Sequence, residues 1–489
     1  LLGIFPRVGE ETPARSNTNG RGVSFLLYSI SMKNRTTPEG GRISEVLMRT
    51  ILRRTYSVCP VCLQRIPAVH TSRGDEVFLE KTCPQHGDFS TVLWRGMRDL
   101  EAWRGNQPTI AEGENERCPH GCGLCPEHRQ STCCTVLEVT KRCNLQCAFC
   151  FAEGGRGEDI PFDVVRERLR ALAVPGKTLV QLSGGEPTVR DDLPLIVASA
   201  KEAGCKYVQL NTNGIRLAED EEYVRRLAEA GLSFVFMQFD GTDDAIHRAL
   251  RGRELLDIKQ RAIERCARHN LGVTLVPTLV PGVNTQDIGN IVRFAVSHSP
   301  AVRGVHFQPV SYFGRIPSAP ADSMRFTLDE LLHAIEEQAD GLVRGDSLLP
   351  SRCNHPLCGF HGDYIVTSDG KLHPLHKTGG GCCEEPVSAD RNRAFITSKW
   401  QRPEAEASSP APAEEEKNTC CQADLKTFDG FLRFARRYSF TLTAMAFQDA
   451  GNIDLERLRR CSLHVFDDGK FVPFCAYYLT AWERGACNG

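Results

Sequence analysis

The sequence predicts an α/β fold: a parallel sheet of βα units over 135–345, set between Cys-rich N-terminal and C-terminal metal-binding regions. Three observations predict it. Short β-branched or apolar runs alternate with amphipathic helical stretches across that span, the pattern of βαβ units. The 22 Cys are clustered in CxxC-like groups, spaced as metal ligands and not as a disulfide frame. The first run leads into Cys143-Asn-Leu-Gln-Cys147-Ala-Phe-Cys150, and a second is followed by Gly184-Gly185-Glu186-Pro187.

Composition bounds the function. The 489 residues suit about three domains at roughly 150 residues each. Hydrophobic residues at 41% and charged residues at 25% are ordinary for a globular chain. A net charge of −2 gives no electrostatic case for nucleic acid or for an anionic membrane surface. No apolar run reaches the roughly 20 residues of a transmembrane helix, and no secretory h-region is present. Thiols kept for metals point to a reducing cytoplasm.

Residues 1–45 read as disordered or as a mis-called extension, with translation starting near Met32. The span 46–134 reads as an N-terminal metal-binding region. Cys59-Pro-Val-Cys62 and Cys83-Pro-Gln-His86 are two knuckles about 20 residues apart, suited to tetrahedral zinc or a single iron. His86, or a Cys from the next group, is the fourth ligand. That next group is Cys118, Cys122 and Cys125, with Cys133 and Cys134 behind it.

The core is expected over 135–345. Strands are expected at 135–140, 178–182, 206–211, 233–239, 272–278 and 303–308. Helices are expected at Phe162–Leu172, Leu193–Ala203, Asp220–Ala230, Leu255–His269 and Thr285–His298. Crossovers should be right-handed, with functional groups at the C-terminal strand ends. His306 and Gln308 share one face of the sixth strand, pocket lining or core in equal measure.

Residues 346–489 read as a C-terminal auxiliary-cluster domain. Cys353, Cys358, Cys461 and Cys475 make four thiolates, enough to ligate one cluster fully. A Pro/Glu-rich insert near 401–417 is expected to be flexible. The vicinal pairs Cys382-Cys383 and Cys420-Cys421 flank it as redox or surface thiols. Cys205 and Cys266 are buried small hydrophobes, and Cys487 is idle.

Three thiolates spaced as Cys143, Cys147 and Cys150 can hold three irons of a cube. A [4Fe–4S] cluster usually takes four Cys, so one iron stays open. With Phe149 before the last Cys, and with the GGEP turn, the sequence resembles the radical S-adenosylmethionine (SAM) superfamily. The resemblance implies a partial (β/α)6 TIM-like barrel, with the open iron chelated by SAM. It also implies that Gly184, Gly185, Glu186 and Pro187 lie at the SAM amino group, and that Asn211, Asn213 and Asp240 line the SAM or substrate pocket. The Pro- and Gly-rich Cys118, Cys122 and Cys125 group is then an auxiliary cluster closed by Cys134 or Cys133. The strings Cys-Gly-Leu-Cys-Pro-Glu-His, Glu-Val-Thr-Lys-Arg-Cys-Asn-Leu and Phe447-Gln-Asp449 through Arg460-Cys461 narrow the likeness. They resemble the tetraether lipid synthase family and its bacterial relatives, the radical SAM (seleno)protein TrsS group.

What the resemblance implies is an anaerobic enzyme that cleaves SAM reductively to a 5′-deoxyadenosyl radical and takes hydrogen from a C–H bond. Carbon–carbon coupling or methyl or thio transfer on a lipid-like or small-molecule substrate would follow. The cofactor set is the SAM-binding [4Fe–4S] cluster, SAM, one or two auxiliary [4Fe–4S] clusters and one mononuclear Zn or Fe. A flavodoxin or ferredoxin supplies electrons, and peripheral membrane contact is compatible with the chain. The alternatives are a peptide-modifying maturase, or an electron-transfer protein without catalysis.

Overall fold

The computed structural model describes residues 29–36, 42–96, 98–105, 118–120, 123–155, 157–318, 320–375, 387–403 and 427–480. Two units are present, Leu1–Thr50 and Ile51–Gly489. In the first, β1 (Ser29–Thr36) pairs antiparallel with the 42–49 stretch of β2 (Arg42–Val58), in a segment where the sequence predicts no element.

The second unit opens with an antiparallel ribbon of β3 (Arg65–Arg73), β4 (Glu76–Cys83) and β5 (Gly87–Arg95). A parallel sheet follows. Its strands are β6 (Cys134–Thr140), β7 (Leu179–Gly184), β8 (Tyr207–Thr212), β9 (Phe234–Gln238), β10 (Gly272–Val276) and β12 (Val302–Pro309), with the two-residue β11 (Thr278–Leu279) beside β12. Each lies within a few residues of its expected place, and successive strands pair in parallel.

The side-chain period of two explains the sequence of these strands. Val180, Leu182, Val208, Leu210, Val235, Met237, Val305 and Phe307 are buried in one core cluster. The helices Phe162–Leu172, Leu193–Glu202, Glu221–Glu229, Leu256–Arg268 and Ile288–Ser297 bury residues such as Leu169, Ile196, Leu227, Ile263 and Ile291 in the same cluster. The intervening Gln181, Gln209, Phe236 and His306 face a cavity instead. Apolar burial of roughly 2 kcal/mol per large side chain holds the layers together.

The region after 345 does not stand apart from this sheet. After β13 (Leu349–Pro350), β14 (Phe360–Val366) and β15 (Leu372–Pro374), the strand β16 (Ser439–Ala444) pairs in parallel with β12. At the other edge β17 (Leu463–Asp467) pairs in parallel with β6, and β18 (Lys470–Pro473) closes a hairpin on it. The sheet therefore holds eight parallel strands in the order β16-β12-β10-β9-β8-β7-β6-β17. Gly304 permits the β12–β16 approach: a Cβ there would lie 2.2 Å from the Thr441 carbonyl oxygen.

Arg303, at the start of β12, joins three elements. It is fully buried. Its guanidinium donates to the carbonyls of Lys399 (2.8 Å), Arg436 (2.9 Å) and Arg437 and to Ser439 Oγ (2.6 Å), with no carboxylate among these acceptors. Burial, with Arg402 nearby, pushes it down to about 9. Arg303→Met leaves buried carbonyls without donors. It is expected to lower stability by about 3 kcal/mol, measured by anaerobic denaturant unfolding.

Among the described residues no helix is long and apolar enough to cross a membrane.

Candidate active site

A cavity of about 830 Å³ lies inside the sheet, and Cys143, Cys147 and Cys150 all line it. They sit on the loop after β6. Contacts from distant parts of the chain pin that loop. Cys150 exchanges two backbone hydrogen bonds with Arg315 (3.0 and 2.9 Å), and Ala148 N–H donates to the Leu250 carbonyl (3.1 Å). Arg315 Nε donates to the Cys147 carbonyl (2.9 Å). Leu145 packs with Ile215 and Leu255, so the loop has an apolar anchor. Burial pushes the Cys143 thiol up to about 11, and Glu186, Cys147 and Cys150 add to the rise. The three sulfurs thus share one electrostatic neighbourhood, which a cationic metal core would stabilise as thiolates.

The GGEP turn lies flat against this loop. Gly185 N–H donates to the Thr140 carbonyl and Glu186 N–H to the Arg142 carbonyl, each at 2.8 Å. A Cβ on Gly184 would fall 2.2 Å from Thr140 O, and one on Gly185 2.1 Å from Arg142 O. Only glycine allows this approach. The Glu186 carboxylate is buried and accepts four bonds, from Thr188 N (3.0 Å), Thr188 Oγ1 (2.7 Å), Thr212 Oγ1 (2.7 Å) and Asn213 N (2.6 Å). Burial raises its pKa against those donors. Its carboxylate staples the ends of β7 and β8 together.

Asn211 and Asn213 line the cavity. Asn213 Nδ2 also donates to Asn144 Oδ1 on the Cys loop (2.7 Å). Phe149 lines the cavity and meets Tyr312 edge-on, centroids 6.2 Å apart. The donor set, three thiols lining one cavity beside a turn shaped by two glycines, fits a [4Fe–4S] cluster with one open iron.

Asp240 differs from expectation. It is fully buried and does not line the cavity. Its carboxylate forms a bidentate pair with Arg251, both bonds 2.7 Å. Burial pushes the Asp240 carboxyl up, but the Arg251 guanidinium overrides this and holds it below its usual range. Arg251 is the member of the pair that reaches the cavity. Sequence reasoning assigned no role to Arg251 or to Lys259. Both are buried: Lys259 donates to the Asn213 carbonyl, and burial pushes its amine down to about 8. The only sequence signal was their position on helices Asp244–Arg251 and Leu256–Arg268, just past the fourth strand.

Deeper in the cavity the lining is amide-rich: Gln181, Gln209, Gln238 and Gln308 face it. Gln209 Nε2 donates to Gln181 Oε1 (3.0 Å). His306 Nδ1 lies 2.8 Å from Thr443 Oγ1, and burial pushes the imidazole down to about 4, so it is neutral near pH 7. Phe236 lies 5.4 Å from the His306 ring and 4.7 Å from Trp400. A second wall is aromatic, with Phe447 stacked on Phe474 at 4.4 Å and Phe151 edge-on to it at 5.4 Å.

In the N-terminal ribbon Cys59, Cys62, Cys83 and His86 converge, with all four ligand atoms within 4.8 Å of one another. His86 Nδ1 is 3.4 Å from Cys83 Sγ and 3.5 Å from Cys59 Sγ. Three sulfurs and one imidazole nitrogen are the donor set of a tetrahedral structural site. Cys83→Ser or a strong chelator is expected to remove one metal ion per chain and to lower the melting temperature, read by elemental analysis with calorimetry.

Of the four C-terminal thiols expected together, three share one void. Cys358, Cys461 and Cys475 border one small void together with Arg457. Gln448 N–H donates to Cys475 Sγ (3.2 Å), and Arg457 Nη2 lies 3.7 Å from Cys358 Sγ. Cys353, expected as their fourth partner, packs with Cys133 and Ala389 and still feels the charge of Cys461. Cys118 shares an apolar cluster with Cys475. Cys134 belongs to another, with Leu179 and Trp400, because it opens β6 and points into the sheet interior. Cys125 is half-buried. Cys122, Cys382, Cys383, Cys420, Cys421 and Cys487 lie outside the described residues.

Comparison with known proteins places these features. The model of the radical SAM superfamily matches residues 137–295. The model of the HMPTM N-terminal zinc ribbon domain matches 51–95. A 7,8-dihydro-6-hydroxymethylpterin dimethyltransferase from Methanocaldococcus jannaschii is 32% identical, over 87% of this chain and 93% of that protein. A probable GTP 3′,8-cyclase from Archaeoglobus fulgidus is 28% identical, over 49% of this chain and 83% of that protein. Among solved structures, Streptococcus suis SuiB bound to its precursor peptide SuiA matches with a TM-score of 0.35 and 18% identity, over 43% of this chain and 46% of that one.

Proposed function

Because the chain belongs to the radical SAM superfamily and is an enzyme of that class, we propose that it transfers a methyl group to a carbon of a small, flat heteroaromatic substrate such as a reduced pterin. The observation that carries this reading is the amide-rich cavity. Gln181, Gln209, Gln238, Gln308 and Asn211 all face it. Gln209 already bonds Gln181 and Gln238 bonds Asp240, but a hydrocarbon chain would strand the amide donors and acceptors left over at a cost of about 1–3 kcal/mol each, whereas a fused ring with ring nitrogens, an amino group and a carbonyl satisfies them. Phe236 and Trp400 supply ring faces beside it. The named pterin activity of the Methanocaldococcus jannaschii relative supports the same class.

Cys143, Cys147 and Cys150 would hold the cluster, and Gly184, Gly185 and Asn213 would border bound SAM. Cluster and SAM together supply a 5′-deoxyadenosyl radical when electrons arrive from a donor such as ferredoxin or flavodoxin. The chain's own residues orient and exclude. Glu186 fixes the turn, the amides position the substrate edge, and the neutral His306 offers its second ring nitrogen for a hydrogen bond.

The test is incubation of anaerobically reconstituted protein with 7,8-dihydro-6-hydroxymethylpterin, reductant and excess SAM, of which one molecule is split to methionine and 5′-deoxyadenosine and a second gives up its methyl to leave S-adenosylhomocysteine, the reductant supplying one electron for each. The expected result is substrate-stimulated 5′-deoxyadenosine and a methylated pterin by mass spectrometry. Gln181→Leu with Gln209→Leu is expected to abolish the stimulation while slow, substrate-free SAM cleavage persists. A second reading draws on the Phe151, Phe447 and Phe474 wall, which suits an apolar chain and carbon–carbon coupling of a lipid-like substrate. Stimulation by a lipid and not by the pterin would select it.

A further inference from the structure

The structure points to Arg251 as the residue that sets the reduction potential of the cluster at Cys143, Cys147 and Cys150, and we propose it as a positioning and tuning group for electron entry. The inference rests on the cluster reading above.

Four observations carry it. Arg251 ends the helix Asp244–Arg251, and the preceding residue is tied to the Cys loop: Ala148 N–H donates to the Leu250 carbonyl at 3.1 Å. This bond holds the end of that helix beside Cys147. Second, Arg251 and Cys147 line the same cavity, and the guanidinium and the Cys147 thiol feel each other's charge. Third, the guanidinium is fixed. Nε and Nη2 donate to the two Asp240 oxygens at 2.7 Å, and Nη2 also lies 3.1 Å from Thr278 Oγ1. A guanidinium has five N–H donors in a rigid fork, so donors remain for the sulfur. Fourth, the pair is buried on both sides: Asp240 is fully buried and Arg251 is 8% exposed.

A buried ion pair is weak grounds for stability, because desolvation offsets the Coulomb attraction. This one is explained better by what it faces. The carboxylate is shut away from the cavity, and the guanidinium is the member of the pair that lines it together with Cys147. Reduction adds a negative charge to an already anionic thiolate cluster. A positive charge facing the cavity that holds the Cys147 sulfur stabilises that state, so the potential rises. Asp240 then acts through Arg251 by holding the fork at a fixed angle.

The experiment is an EPR-monitored redox titration of reconstituted full-length protein, wild type against Arg251→Gln and Arg251→Lys. The signal followed is the one that Cys147→Ala removes. Arg251→Gln is expected to titrate at a more negative potential, its reduced-to-oxidised ratio at a fixed potential falling about tenfold, which is 59 mV for a one-electron couple. Arg251→Lys should fall between Gln and wild type. An Arg251→Gln protein with wild-type iron, sulfide and midpoint overturns the proposal. If Arg251→Gln retains no cluster, wild-type protein grown with ¹⁵N-arginine decides: a ¹⁵N hyperfine coupling to the reduced cluster is expected, and its absence overturns the assignment. Absence from wild type of any signal that depends on Cys147 overturns the cluster reading itself, a result distinct from an unchanged midpoint.

Discussion

Cys147→Ala is expected to bring 5′-deoxyadenosine formation from SAM to background, a loss of roughly 10³-fold or more, as for a group that works only as part of a unit. The remaining thiols of the triplet cannot retain a cube with a defined open corner. Iron and sulfide analysis should show the loss of one cluster, while the metal at Cys59, Cys62, Cys83 and His86 stays, because that ribbon is a separate set of ligands. Anaerobic assay by liquid chromatography checks the first part and metal analysis the second. Unchanged 5′-deoxyadenosine output would end the radical SAM reading of this site.

Asp240→Ala is expected to have the largest effect on stability. It leaves the Arg251 guanidinium buried without its carboxylate, and breaking a buried pair in this way costs about 3–5 kcal/mol. Asp240→Asn keeps the shape and one acceptor and should cost less. The pH dependence has a definite sign. The folded Asp240 carboxyl titrates below its unfolded value. Its contribution is therefore present above the usual Asp range, near pH 4, and is lost as pH falls through the folded value. The wild type should lose this increment in acid and Asp240→Ala should not. Denaturant midpoints across pH, under anaerobic conditions, measure both.

Much of the fold was legible because parallel strands and their crossover helices carry strong periodicities. The helix expected at Phe162–Leu172 has those bounds, and the strands from β6 to β12 shift by a few residues at their ends. The triplet and the GGEP turn were legible because local spacing fixes them. Asp240 was visible as a loop acid, but its direction was not: only the fold shows that it turns away from the cavity toward Arg251. The packing of Cys353 against Cys133 was out of reach for the same reason. Cys353 and Cys358 are five positions apart, yet only Cys358 borders the void with Cys461 and Cys475. Nothing local announces that β16 and β17 join the edges of a sheet begun at β6.

That last arrangement has a consequence for how the chain comes into being. With β17 laid against β6 and β16 against β12, the two borders of the sheet are covered only when the stretches 439–444 and 463–467 have been made. A nascent barrel must wait with two bare hydrogen-bonding rims, the state most open to mispairing. A chain stopped before residue 439 would therefore be an unzipped, aggregation-prone barrel, and not a smaller working enzyme.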